Sequence, residues 1–236
     1  MRIPICYARS TEEVDNVVAN DGDGASEHGD TKVEKFVDTV LSVGLEGKGP
    51  FKSAREIADE HLTRPGDAEK AIQRLIATHA RVVGASGFAT GLGGFVTLPV
   101  TVPTDVGVFY VQASRCAGSV AHLRGYELES DEVRSVVLMS LLGAGGVAMA
   151  AEFGVNLGTR AALAALKKVP GRVLMDINKK VGFRLVTKAG TTGVVNLSKL
   201  VPFVGGGVGA SVNVVGMRSI GGYAKGNFPA DDDVSA

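Results

Sequence analysis

Residues 82–104 form a run of 23 positions without a charged side chain, and this run limits what the chain can fold into more than any other feature. About 20 apolar residues suffice to cross a bilayer, so its length alone permits a span. The run also holds Gly84, Gly87, Gly91, Gly93 and Gly94, followed by Pro99 and Pro103. Glycine and proline both weaken a continuous helix. The expected structure is therefore a helix end, a glycine turn and a short extended link. Two further uncharged runs, 135–151 and 200–217, hold 17 and 18 residues and lie at or below the spanning length.

The surrounding composition is that of a globular chain. Of 236 residues, 45% are hydrophobic and 21% charged, which excludes a wholly disordered chain and a polytopic membrane protein. Glycine, at 32 residues, is roughly twice its usual ~7% share. Cys6 and Cys116 stand far apart and outside any Cys-x-x-Cys pattern, so neither a disulfide framework nor a zinc cluster is expected. Residues 1–9 offer no apolar run of the secretory kind, and the expected address is cytoplasmic.

Apolar residues recur at helical spacing along most of the chain. Val33, Phe36, Val37, Val40 and Leu41 form one such set, with Gly44 as its stop. Ser53 and Glu56 have the spacing of a capping box, and Ile72, Leu75, Ile76, His79 and Val83 line one side of a third helix. Later helices are expected over 103–122, 131–151, 157–168, 172–188 and 207–225. Alternating β-branched runs bounded by turns do not recur. The predicted fold is all-α, a compact bundle of about seven to nine helices with Gly-rich connections. Residues 1–30 are read as a flexible N-terminal segment, 31–228 as the helical domain and 229–236 as an acidic disordered tail.

The glycines suggest close helix contacts. Gly87/Gly91, Gly154/Gly158, Gly205/Gly209 and Gly222/Gly226 are each spaced by four, which lets helix backbones approach when both lie on one face. Such Gly-x-x-x-Gly faces could serve oligomerisation, or tight packing inside one bundle.

Motifs for chemistry are missing. The Gly-Leu-Glu-Gly-Lys-Gly of 44–49 has neither the spacing nor the hydroxyl residue of a phosphate-binding loop. Gly205, Gly207 and Ala210 imitate a dinucleotide fingerprint, but Pro202 interrupts the would-be strand and no βαβ unit surrounds them. Ser86 and Ser211 lack the closing glycine of a nucleophile elbow. His28, His61, His79 and His122 are dispersed, and the neighbours Asp59, Glu60 and His61 point different ways on a helix. No catalytic residue, metal site or cofactor is assigned, and the balance leans against an enzyme. His79, Asp105 and Asn213 are the candidates for a polar site within the apolar region, with core packing and helix-start roles as their plainer readings.

Charge is distributed unevenly along the chain. Residues 1–80 carry 10 Lys/Arg and 15 Asp/Glu, residues 81–228 carry 15 and 7, and three Asp close the chain. From Arg160 to Lys225 eleven basic residues face one acid, Asp176. That block fits an anionic partner, or a solvated face balanced by the acidic first third. Lys167, Lys168, Arg172, Lys179, Lys180, Arg184 and Lys188 are the candidate lipid- or anion-binding residues. Along 172–188, Leu174, Ile177, Val181 and Leu185 form an apolar stripe edged by Lys180, Arg184 and Lys188. Long basic side chains beside such a stripe can reach headgroups while the stripe enters the acyl boundary. Nucleic acid is disfavoured, because the basic region lacks a recognisable binding motif and interleaved aromatics.

Three segments in order resemble one family. They are Ala-Arg-Val-Val-Gly-Ala-Ser-Gly-Phe-Ala-Thr-Gly-Leu-Gly-Gly at 80–94 with Leu-Pro-Val-Thr-Val-Pro-Thr-Asp at 98–105, then Arg-Gly-Tyr-Glu at 124–127, then Leu-Val-Pro-Phe-Val-Gly-Gly-Gly-Val-Gly-Ala-Ser-Val-Asn at 200–213. Over about residues 31–228 the chain resembles the EcsC family of bacterial proteins. The resemblance implies an α-helical, rather hydrophobic protein without an established activity, so it carries no catalytic residues over. Gly91, Gly94, Pro103, Asp105, Gly125, Tyr126, Pro202 and Asn213 are shared pattern only.

The expected function is a non-enzymatic cytoplasmic helical protein associated peripherally with the inner face of the membrane, or with a membrane protein. The Gly-rich apolar segments and basic C-terminal helices would make the contact. The alternative is a lipid- or small-molecule-binding protein or enzyme with an apolar pocket near Asp105 and His79, and a third reading inserts the runs 135–151 and 200–217 as a hairpin.

Overall fold

A single helix, α4 (Gly94–Leu123), lies at the centre of the molecule, and residues 113–121 along it are all buried. A helix apolar or small on every side has no solvent face to offer and ends up surrounded by others. The computed structural model describes residues 27–48, 51–62, 67–92, 94–197 and 202–230. Around α4 are α1 (Glu27–Leu41), α2 (Ala54–His61), α3 (Ala68–Leu92), α5 (Asp131–Leu141), α6 (Ala144–Glu152), α7 (Arg160–Leu166), α8 (Gly171–Leu197) and α9 (Pro202–Asn227). Among the described residues the only other regular element is a π-helical turn, Ser42–Glu46, and no strand occurs. The all-α reading and the helix number expected from periodicity both hold.

Several boundaries follow from identifiable local causes. The Ser53–Glu56 capping box is formed, with the Ser53 hydroxyl accepting from the Glu56 amide at 3.2 Å and the Glu56 carboxylate accepting from the Ser53 amide at 2.7 Å. The helix expected over 131–151 is instead two. Gly143 adopts φ +62°, a conformation unfavourable for other residues, and the chain turns there between α5 and α6. Gly44 does not end α1; the π-turn continues through it, because its missing side chain leaves room for Ser114 of α4. The expected extended link within 82–104 is also absent. α3 runs to Leu92 and α4 begins at Gly94, with Pro99 and Pro103 inside it, so tertiary packing overrides the propensity of the prolines. α1 begins at Glu27, four residues inside the segment read as flexible, whereas residues 1–26 and 231–236 lie outside the described part.

The tightest pairing joins α3 and α9, which run antiparallel. Glu69 near the start of α3 meets Lys225 near the end of α9 at 2.7 Å, Ile76 faces Gly221, and Gly87 faces Gly209. The uncharged run 82–104 therefore forms a helical hairpin, α3–α4, rather than a membrane span. At the far end, Phe228 is fully buried against Tyr126 with ring centroids 5.2 Å apart, and the Tyr126 hydroxyl donates to the Pro229 carbonyl at 2.9 Å. Burying a phenylalanine contributes about 2–3 kcal/mol, enough to hold this end of α9 in place.

Candidate functional site

The basic residues singled out in the sequence fall on α8 and on the end of α7. Lys167 caps the C-terminus of α7, and Lys168 and Arg172 are exposed in the connection and the first turn of α8. Lys179 is half-buried and Lys180 exposed, the ammonium of Lys180 lying 5.2 Å from the centre of the Phe153 ring. Arg184 pairs with Glu152 at 3.8 Å, so part of the basic block is balanced by an acid from α6. Lys188 lies on α8, with its side chain outside the described residues.

The apolar stripe expected to enter lipid does not do so. Leu174, Ile177, Val181 and Leu185 are all buried in the core, where α8 packs on α1 and α5. Gly182, between them, is the point at which Val33 and Val37 of α1 come closest. A stripe at three-and-four spacing satisfies a protein core as well as a membrane, and here the core takes it.

A second apolar row occupies the opposite side of the same helix. Met175, Phe183 and Val186 are exposed, Met175 at 64% and Phe183 at 60%. With Lys179 they follow at spacings of four, four and three, which places them on one outward face. Arg172 and Asp176 stand on that face or at its edge, whereas Lys180 and Arg184 lie on the flank toward Phe153 and Glu152. Exposed phenylalanine and methionine interleaved with basic side chains have no role in holding the bundle together. The wheel of α8 contained this row from the outset, but the stronger inner stripe masked it.

Of His79, Asp105 and Asn213, the structure describes the side chains of the first and the last, which hold separate backbone carbonyls of α3. His79 is buried, and its Nδ1 donates to the Leu75 carbonyl of its own helix at 3.0 Å. Burial depresses its pKa to about 4, with the neighbouring charge of Arg115 pushing the same way, so the ring is neutral at pH 7. Asn213 of α9 donates from Nδ2 to the Val83 carbonyl of α3 at 3.1 Å, one helical turn from His79, and so serves the α3–α9 seam. Asp105 lies on α4, with its side chain outside the described residues.

Two buried polar residues of α4 were not singled out by the sequence. Arg115 is 4% exposed; one guanidinium nitrogen donates to the Val43 carbonyl of the π-turn at 3.1 Å, and Phe51 lies 5.5 Å beneath it. Burial lowers its pKa to about 10, which leaves it charged at pH 7. Ser119 donates to the Ala54 carbonyl at 2.7 Å. Both side chains reach across to backbone carbonyls of neighbouring elements, which is a structural task. The Asp59–Glu60–His61 trio is dispersed: Asp59 meets His122 at 3.3 Å, Glu60 pairs with Lys52, and His61 Nδ1 donates to the Ile57 carbonyl. Among the described residues no group of three or more His, Cys, Asp or Glu could hold a metal ion.

The glycine pairs divide. Gly87 and Gly209 sit in the α3–α9 seam, Gly222 and Gly226 are exposed on α9, and Gly154 and Gly158 lie in the turn between α6 and α7 with φ of +72° and +93°, where they present no helix face. The surroundings of Gly91 and Gly205 lie outside the described residues. Among the described residues no helix is long and apolar enough to cross a membrane. Comparison with family models, curated proteins and solved structures finds no match to this chain.

Proposed function

We propose that the protein is a non-enzymatic, peripheral membrane-binding protein whose contact surface is the outer face of α8 with the adjoining end of α7. The observation that carries this reading is the exposed row Met175, Phe183 and Val186 with Arg172 on the same face of α8 and exposed Lys180 and Arg184 on its flank. Each basic side chain near an anionic leaflet contributes about 1 kcal/mol, and Lys167 and Lys168 extend the basic surface beyond the helix. The apolar row adds burial that a purely electrostatic contact would lack. A cytoplasmic site of action, at the inner face of the membrane, and the EcsC resemblance are both in keeping with this reading.

The test separates the two components. Replacing Arg172 and Lys168 with Glu should weaken binding to anionic vesicles at least tenfold and reduce its salt dependence. Phe183→Ser should weaken binding while leaving the salt dependence in place. Undiminished binding by both variants would remove α8 from the contact.

A further inference from the structure

α8 and the α3–α9 pair stand on opposite sides of α4. The helices α3, α9, α5, α1 and α2 all pack on α4 and follow one another around it. α3 meets α9, α9 meets α5, and α1, through its π-turn, meets α2, which returns to α3. α8 packs on α5 and α1, and so closes the ring across from α3 and α9. Its exposed row of Met175, Phe183 and Val186 is turned away from those two supports. The sides of α3 and α9 turned away from α4 form one outward surface on the far side of the molecule.

That surface repeats the chemistry of α8. On α3, Arg81, Ala85 and Phe88 follow at spacings of four and three and are all exposed; on α9, Ser211, Val215 and Arg218 do the same. Val82 and Val212 flank the two rows, both exposed, and Val215 is 67% exposed. Gly84 faces Val214 and Ile76 faces Gly221, and both arginines fall between these two contacts, so Arg81 and Arg218 stand at one level of the pair. Neither makes an ion pair among the described residues. The acid in the sequence of α3 and α9 is Glu69, in the first turn of α3, where it is held by Arg124 and Lys225.

Single exposed apolar side chains are ordinary, whereas a joined set rimmed by one sign of charge selects a partner. A second copy seated on this face by a twofold axis would set a positive patch against itself. An anionic lipid surface satisfies both parts, with headgroups at the arginines and the valines and Phe88 at the acyl boundary.

We infer that the α3–α9 face binds a second anionic membrane, so that one chain bridges two bilayers. The inference rests on the membrane-binding reading of α8 and adds a function to it, the linking of membranes. α8, with exposed Lys167, Lys168 and Arg172 close by, is the stronger contact. The weaker α3–α9 contact takes hold when many copies gathered on one vesicle act together.

The experiment mixes the full chain with vesicles of phosphatidylserine in phosphatidylcholine and reads binding by sedimentation and clustering by light scattering. The native chain is expected to bind the vesicles and to cluster them. Arg81→Glu combined with Arg218→Glu, and separately Val215→Ser, should slow clustering at least about fivefold while co-sedimentation persists through α8. Both variants alter exposed positions and are expected to keep the native urea midpoint. Binding without clustering by the native chain would overturn the inference and leave α8 as the contact. Clustering undiminished in both variants would also overturn it. Dimerisation of the lipid-free chain in sedimentation velocity, abolished by Val215→Ser, would assign the face to a second copy and contradict the inference. No binding to the anionic vesicles would overturn the membrane reading and the inference with it.

Discussion

Gly87 and Gly209 meet backbone to backbone: a Cβ on Gly87 would lie 2.8 Å from the Gly209 carbonyl oxygen, and one on Gly209 would lie 2.7 Å from that of Gly87. Main chain blocks each side, and at Gly87 the Asn213 amide, 2.5 Å from such a Cβ, adds a side-chain obstacle. Replacement of Gly209 by Val is expected to destabilise the protein by about 2–4 kcal/mol. Gly222, on the exposed side of α9 with no atom in the path of a Cβ, provides the contrast. Gly222→Ala is expected to stabilise by up to about 1 kcal/mol through helix propensity. Urea denaturation of the two variants checks both, and equal effects would remove the seam from its structural role.

His79 supplies a pH dependence whose sign is fixed. Its pKa falls from 6.5 to about 4 on folding, mainly through burial, with Arg115 and His61 adding in the same direction. The unfolded chain therefore binds a proton that the folded chain refuses, and the associated stability is present above pH 6.5 and lost as the pH falls toward 4. Between pH 7 and pH 5 the loss is about 2 kcal/mol. Comparison of the native chain with His79→Gln by urea denaturation at the two pH values measures it. An identical pH response in both proteins would contradict the assignment.

Cys116 is fully buried on α4, and burial pushes its thiol up to about 12. With Cys6 replaced by Ser, a thiol reagent is expected to label the native protein no faster than the protein unfolds, and to titrate one thiol after denaturation. Rapid labelling under native conditions would show that α4 is more open than its packing indicates.

Much of the fold was written in the local pattern. The Val33–Leu41 set, the Ser53–Glu56 box and the Ile72–Val83 face each became the element expected, because caps and three-and-four spacing act within one helix. What failed depended on distant partners. Pro99 and Pro103 read as helix breakers, yet α4 forms through them, packed on α3 and α9. Gly154 and Gly158 looked like a helix face and are turn residues, since spacing alone does not say which conformation a glycine takes.

The candidate surface was legible in its charges and misread in its apolar part. Arg172, Lys180 and Arg184 are exposed as expected, but α8 carries two apolar rows, and the sequence does not say which of them other helices will cover. Arg115 went unnoticed for the same reason: its partner, the Val43 carbonyl, lies 72 residues away.

The most direct test of membrane binding is sedimentation of the purified full chain with anionic and with zwitterionic vesicles across a salt series. Binding to the anionic vesicles that weakens as salt rises, with a salt-resistant remainder abolished by Phe183→Ser, is the expected result. Equal recovery in the supernatant with both vesicle types at the lowest salt would contradict it.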